Sequence, residues 1–135
     1  RNPEGQEQWH RLLMVLGSRS QHRFEVCWSH RLARRAVKEG NLREAVKHAR
    51  RALEVDPQRA ESLSLLGWIH HLGGRSREAI HCLELAHELN PCLAENHLRA
   101  LQAVTGSQRD TWLTRAQRYC PLHPGLARDL EAEAP

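Results

Sequence analysis

Apolar residues recur along most of this chain at spacings of three and four, the period of a helix with one buried face. Trp9, Leu12, Leu13 and Leu16 stand at i, i+3, i+4 and i+7. Phe24, Trp28, Leu32 and Ala36 then follow at intervals of four. Breakers punctuate the pattern: Gly17, Gly40-Asn41, Asp56-Pro57, Gly73-Gly74, Asn90-Pro91 and Pro121. The residue before a proline is pushed away from helical geometry, and a glycine can take the left-handed conformation that ends a helix. The pattern therefore predicts a first helix from Gln6 to Gly17, with Ser18-Arg19-Ser20 as a polar connector. Further helices are expected over Gln21–Glu39, Leu42–Glu54, Glu61–Leu72, Ser76–Leu89 and Ala94–Val104, and one more ends at Tyr119. Ser76 is read as an N-cap, and Ser107 with Asp110 as a capping box. Pro124 is expected to start a short closing helix through Leu130, ahead of a frayed tail, Glu131–Pro135.

Two of these helix pairs are copies of each other. At an offset of thirty-four, Leu32 falls over Leu66, Gly40 over Gly74, and Arg43-Glu44-Ala45 over Arg77-Glu78-Ala79. Ala52 falls over Ala86, Glu54 over Glu88 and Pro57 over Pro91. A fixed offset held over Val26–Leu93 is an internal repeat. Each unit is a helical hairpin that cannot bury its apolar stripe alone, and stacking the next hairpin on it does so. Small residues at Ala33/Gly67, Ala45/Ala79 and Ala52/Ala86 let the paired helices approach. The fold class expected is all-α, with antiparallel hairpins stacked as a short right-handed solenoid.

The grammar resembles the tetratricopeptide repeat family, which places Leu-Gly/Ala in the first helix, Gly at the turn, Glu-Ala in the second helix and Asn/Asp-Pro at its end. Leu66-Gly67, Gly74, Glu78-Ala79, Ala86 and Asn90-Pro91 follow that pattern, as do Leu32-Ala33, Gly40-Asn41, Glu44-Ala45, Ala52 and Asp56-Pro57. The Trp and Tyr often found in the family's first helix are replaced here by Ser29 or Leu63 and by Ala36 or His70. The organisation expected is an amphipathic cap or partial repeat over 1–20 and two regular repeats over 21–93. A shortened third repeat over 94–121 and a closing helix with its tail over 122–135 complete it.

Charge adds a direction. Residues 21–60 carry ten Lys or Arg against five Asp or Glu, while the whole chain has a formal net charge of +4. A basic half-face steers acidic partners. The four cysteines form no CxxC pair and read as free, mostly buried thiols of a reducing compartment, so a soluble cytoplasmic protein is expected. No apolar run approaches the length of a membrane span, the longest being Leu12–Leu16. The chain starts at Arg1 without a Met, which reads as a fragment or a processed product.

Chemical motifs are sparse. Ten histidines with the cysteines raise a metal reading, yet Cys120-x-x-His123 has no mate, and adjacent His70 and His71 point about 100° apart on a helix. No metal, cofactor or catalytic residue is assigned, because no nucleophile elbow, P-loop or dinucleotide fingerprint is present. Basic stripes at Arg31, Arg34, Arg35 and Lys38 and at Arg43, Lys47, Arg50 and Arg51 are interleaved with Glu39, Glu44 and Glu54, so nucleic acid is the weaker reading.

The resemblance implies a concave groove lined by the first helices of successive repeats, holding a peptide or partner segment. Carried over, those positions are Cys27, His30, Arg34 and Lys38, then Ser64, Trp68, His71 and Leu72, then Leu98 and Gln102. The function expected is a non-catalytic scaffold for a protein or peptide segment, with an acidic one favoured. The alternatives are a small chaperone or assembly factor and a basic nucleic-acid-associated regulator. Self-association through the N-terminal helix is a further expectation.

Overall fold

The computed structural model describes residues 3–125, and the far end of the closing helix and the tail lie outside them. Six helices follow in order: α1 (Pro3–Lys38), α2 (Leu42–Val55), α3 (Ala60–Leu72), α4 (Ser76–Leu89), α5 (Ala94–Ala103) and α6 (Gly106–Tyr119). Pro124 and Gly125, the last described residues, are helical. Each helix packs on the next one in sequence, and α3 also meets α1 and α5. That is an all-helical stack of hairpins, with α1, α3 and α5 on one side and α2, α4 and α6 on the other.

The turns explain the thirty-four-residue period. Gly40 and Gly74 hold φ of 76° and 77°, a conformation that costs a glycine little and other residues more. Around each, two backbone bonds close the helix end. Asn41 N–H donates to the Ala36 carbonyl (2.9 Å) and Gly40 N–H to Val37 (3.0 Å). Arg75 N–H donates to His70 (2.9 Å) and Gly74 N–H to His71 (3.0 Å). These are paired Schellman closures thirty-four residues apart. At the other ends, the Asp56 and Asn90 carboxyl and amide oxygens accept from the N–H groups of Gln58 (3.3 Å) and Cys92 (3.1 Å), directing the chain through each proline turn.

Burial follows the small-residue prediction. Ala33, Ala45, Ala49, Ala52, Ala79, Ala86, Ala100 and Ala116 are all fully buried. One core cluster joins α1 to α4 through Ala33, Val46, Leu65, Leu66, Ile69 and Cys82, and a second joins α4 to α6 through Leu83, Leu101, Val104 and Trp112. Gly67 lies where an added Cβ would stand 3.0 Å from Leu83 Cγ and 3.1 Å from the Ala79 carbonyl oxygen. In hairpin two the helices therefore approach closely at a glycine.

Four expectations are corrected. Helix α1 is continuous through Gly17 and Ser18–Ser20, so no connector separates a first helix from a second. An interior glycine costs a helix only about 1 kcal/mol relative to Ala, which its helix-forming neighbours offset. Ser76 is the first helical residue and Arg75 holds the N-cap position, with no side-chain cap. Helix α6 likewise starts at Gly106 behind Thr105, so Ser107 and Asp110 lie inside its first turns rather than forming a cap, and the Ser107 carbonyl accepts from the Thr111 hydroxyl. Of the cysteines, all free, only Cys82 is buried; Cys27 and Cys92 are exposed and Cys120 is intermediate.

Candidate functional site

The first helices α1, α3 and α5 meet in a shallow groove. Arg34 and Lys38 of α1, Trp68 of α3, and Glu95 and Arg99 of α5 surround it, over a floor made by Val37 and Leu65. Four of the five rim residues are polar and charged, and Trp68 supplies the one large apolar surface. Trp68 is half-buried and packs its ring on His71, centroids 5.6 Å apart.

Arg99 anchors the α5 side. Its Nη1 donates to the Ser64 hydroxyl at 2.9 Å, and its guanidinium lies 3.5 Å from the Glu95 carboxylate. The side chain is only 15% exposed, so it is held in one place rather than solvated. Burial pushes its pKa down and Glu95 pushes it back up. Arg34 reaches the same carboxylate from α1 at 3.9 Å. One carboxylate thus stands between two guanidiniums, with Lys38 beside them. The exposed pair contributes little to stability, since ion pairs of that kind are worth about 0–1 kcal/mol. What it does is hold a cationic rim open toward solvent.

The predicted groove residues divide three ways. Arg34, Lys38 and Trp68 line the groove, and His71 touches it through Trp68. His30 and Ser64 are used internally instead. The His30 ring nitrogen Nε2 shares a 2.7 Å hydrogen bond with the Ser62 hydroxyl, and burial, then Arg34, lower its pKa. Ser64 is fully buried beneath Arg99. Leu98 packs against the second core cluster. Cys27 and Gln102 are exposed, and Leu72 is 42% exposed, without lining this groove. Glu95 and Arg99 were missed. They sit thirty-four residues after Glu61 and Leu65, so the groove lines on α5 were legible from α3 by choosing the Leu65 register instead of the Ser64 one.

Carboxylates are interleaved along the basic stripes, as the sequence indicated: Arg35 pairs with Glu39 (3.2 Å) and Arg51 with Glu54 (3.3 Å). Among the described residues no group of three or more His, Cys, Asp or Glu is placed to hold a metal ion, and no helix is long and apolar enough to cross a membrane.

The chain's second hairpin matches a known family. The tetratricopeptide repeat model matches residues 60–91, which span α3, the turn before α4, α4 itself and the Asn90-Pro91 that ends it. No curated protein matches the chain.

Proposed function

We propose that this chain, which carries a tetratricopeptide repeat at residues 60–91, is a non-catalytic scaffold that holds an acidic segment of a partner protein in the α1–α3–α5 groove. Repeats of this kind are protein-interaction modules, and the groove supplies the finer reading. The observation that carries it is the rim of Arg34, Lys38 and Arg99 around Trp68, with a single carboxylate, Glu95, among them. Three cations share one anion, so a net charge of +2 is left to attract the carboxylates of a ligand. Trp68 offers the aromatic surface that typically dominates binding energy. The partly desolvated Arg99, already oriented by Ser64, recognises a carboxylate without losing much side-chain freedom.

Peptide display selected on the purified chain tests this. The expected winners carry Asp or Glu within a few residues of one large apolar side chain. Arg34→Glu combined with Trp68→Ala abolishes their binding while far-ultraviolet circular dichroism stays unchanged. Selection of neutral or basic peptides, or binding that survives the double substitution, refutes the groove reading.

A further inference from the structure

The four free cysteines differ in their surroundings. Cys82 belongs to the first core cluster, and burial pushes its thiol up, away from the thiolate that reacts. Cys27 is exposed on α1. Cys92 and Cys120 lie twenty-eight residues apart in sequence, yet they meet: the Cys120 thiol donates to the Cys92 carbonyl oxygen across 3.5 Å. Cys92 is exposed and Cys120 is intermediate, so both are open to a small reagent.

Two proline turns bring them together. Cys92 follows Pro91 in the turn between α4 and α5, and Cys120 caps the end of α6 ahead of Pro121. The proline rings fix the local backbone, and hydrogen bonds hold each turn in place. The Cys92 N–H donates to the Asn90 side-chain oxygen (3.1 Å), His97 Nε2–H to the Pro91 carbonyl (2.7 Å) and the Cys120 N–H to the Ala116 carbonyl (2.9 Å). A carbonyl oxygen stands about 2.4 Å from its own Cα, so the Cys120 sulfur lies within about 6 Å of the Cys92 Cα. Rotation of the exposed Cys92 side chain about χ1 can complete the approach that a disulfide requires. The two thiols also sense each other. Burial first, and then the Cys92 thiol, raise the pKa of Cys120, as expected where charge on one sulfur opposes charge on the other.

The geometry points to a reversible thiol–disulfide site at Cys92 and Cys120, oxidised by a small-molecule disulfide of the glutathione type. Cys92, the more exposed of the two, reacts first. Its thiolate attacks one sulfur of the oxidant, forms a mixed disulfide and expels one thiolate. The Cys120 thiolate then attacks the Cys92 sulfur, forms the bond within the chain and expels the second. Two protein thiols become one disulfide, two electrons pass to the oxidant, and the two protons end on the two thiols released. The new bond closes a loop that contains all of α5 and α6, the third hairpin. That hairpin supplies Glu95 and Arg99, so oxidation tethers one wall of the groove to the turn beside it. The pairing uses no groove residue, and its test stands or fails apart from the groove reading.

Thiol counting, intact mass and thermal melting test it, in a Cys27→Ser chain so that the exposed thiol on α1 plays no part. Oxidised glutathione should remove two free thiols per chain and lower the mass by about 2 Da, with the chain still monomeric in denaturant. Peptide mapping should join Cys92 to Cys120, and dithiothreitol should restore both thiols. The oxidised chain should melt about 5 °C or more above the reduced one, because the closed loop restricts the unfolded chain. Cys92→Ser and Cys120→Ser, each in the same background, should abolish both the cross-link and the melting shift. A lasting glutathione adduct on Cys92, a covalent dimer or a link through Cys82 overturns the proposal. So does an oxidised chain that melts no higher than the reduced one.

Discussion

The tightest test of the packing is the pair Gly67 and Leu83. Thirty-four residues earlier the same two places are Ala33 and Ala49, both fully buried. Hairpin one therefore uses two small side chains where hairpin two uses none and a large one. Adding a methyl group at Gly67 brings its carbon to 3.0 and 3.1 Å from Leu83 Cγ and Cδ2 and to 3.1 Å from the Ala79 carbonyl oxygen. Helix propensity favours Gly67→Ala by about 1 kcal/mol. Overpacking against Leu83 and the Ala79 carbonyl costs about 1–3 kcal/mol, so the net expectation is a loss of about 0–2 kcal/mol. Leu83→Ala empties a fully buried site and costs about 2–5 kcal/mol. In the double variant the methyl no longer meets Leu83 and partly fills the space it left. The two losses should then fall short of additivity by about 1–2 kcal/mol, a coupling of the size seen for residues in contact. Urea unfolding of the four proteins, followed by circular dichroism, measures the cycle. Additivity within about 0.5 kcal/mol refutes the close approach of α3 to α4 at this point.

Two further outcomes follow from the same packing. Ala79 is fully buried beside Gly67, so Ala79→Leu forces α3 and α4 apart and costs about 1–3 kcal/mol; an unchanged melting temperature would contradict the register. Acid should destabilise the stack, in part through its C-terminal side. His97 is fully buried with Nδ1 unpartnered, and it packs edge-on against His87 and Trp112 at 5.4 and 5.7 Å. Burial, first, lowers the pKa of both histidines below 6.5, with Arg115 acting in the same direction and, at His87, Glu84 and Glu88 opposing. The unfolded chain then binds more protons than the folded one below about pH 6.5, so stability is full above that value and is lost as pH falls through it. Thermal melts across that window should decline less steeply in His87→Gln with His97→Gln, and an unchanged slope would show that other groups carry the effect.

The repeat was legible because packing at the helix crossings restricts residue type. Ala45, Ala79, Ala52 and Ala86 are fully buried where the helices approach, and Gly40 and Gly74 carry the positive φ of the turns. Such positions announce themselves without an alignment of relatives. The length of α1 was not legible. A lone Gly17 reads equally as a stop or as an interior glycine, and what decides between them is whether the chain beyond it can stay helical with no partner, which is a property of the whole stack. The aromatic pair was misread for a related reason. Phe24 and Trp28 share a spacing of four with Leu32 and Ala36, and from spacing alone all four belong to one buried stripe. The structure splits them, with Ala36 buried, Leu32 intermediate, and the two rings turned outward.

The groove shows where the reasoning from the repeat needed one more step. Three groove positions differ between the two copies: His30 against Ser64, Arg34 against Trp68 and Lys38 against Leu72; Arg34, Lys38 and Trp68 line the groove and the other three do not. His30 binds Ser62 across the α1–α3 contact. Thirty-four residues on from Ser62, Asn96 is buried too, and its amide donates to the Leu83 carbonyl at 2.9 Å across the next contact. That line is a polar seam between hairpins. Ser64, one helical step away, is sealed under Arg99. Variation between copies therefore marks two different things: seam residues that must match the next hairpin, and rim residues that need match nothing within the chain. Arg34 and Lys38 belong to the second kind, whereas Arg99, which donates to Ser64 on α3, belongs to both. Glu95 satisfies them only in part, which leaves the remaining charge directed outward, as the proposed acidic segment requires.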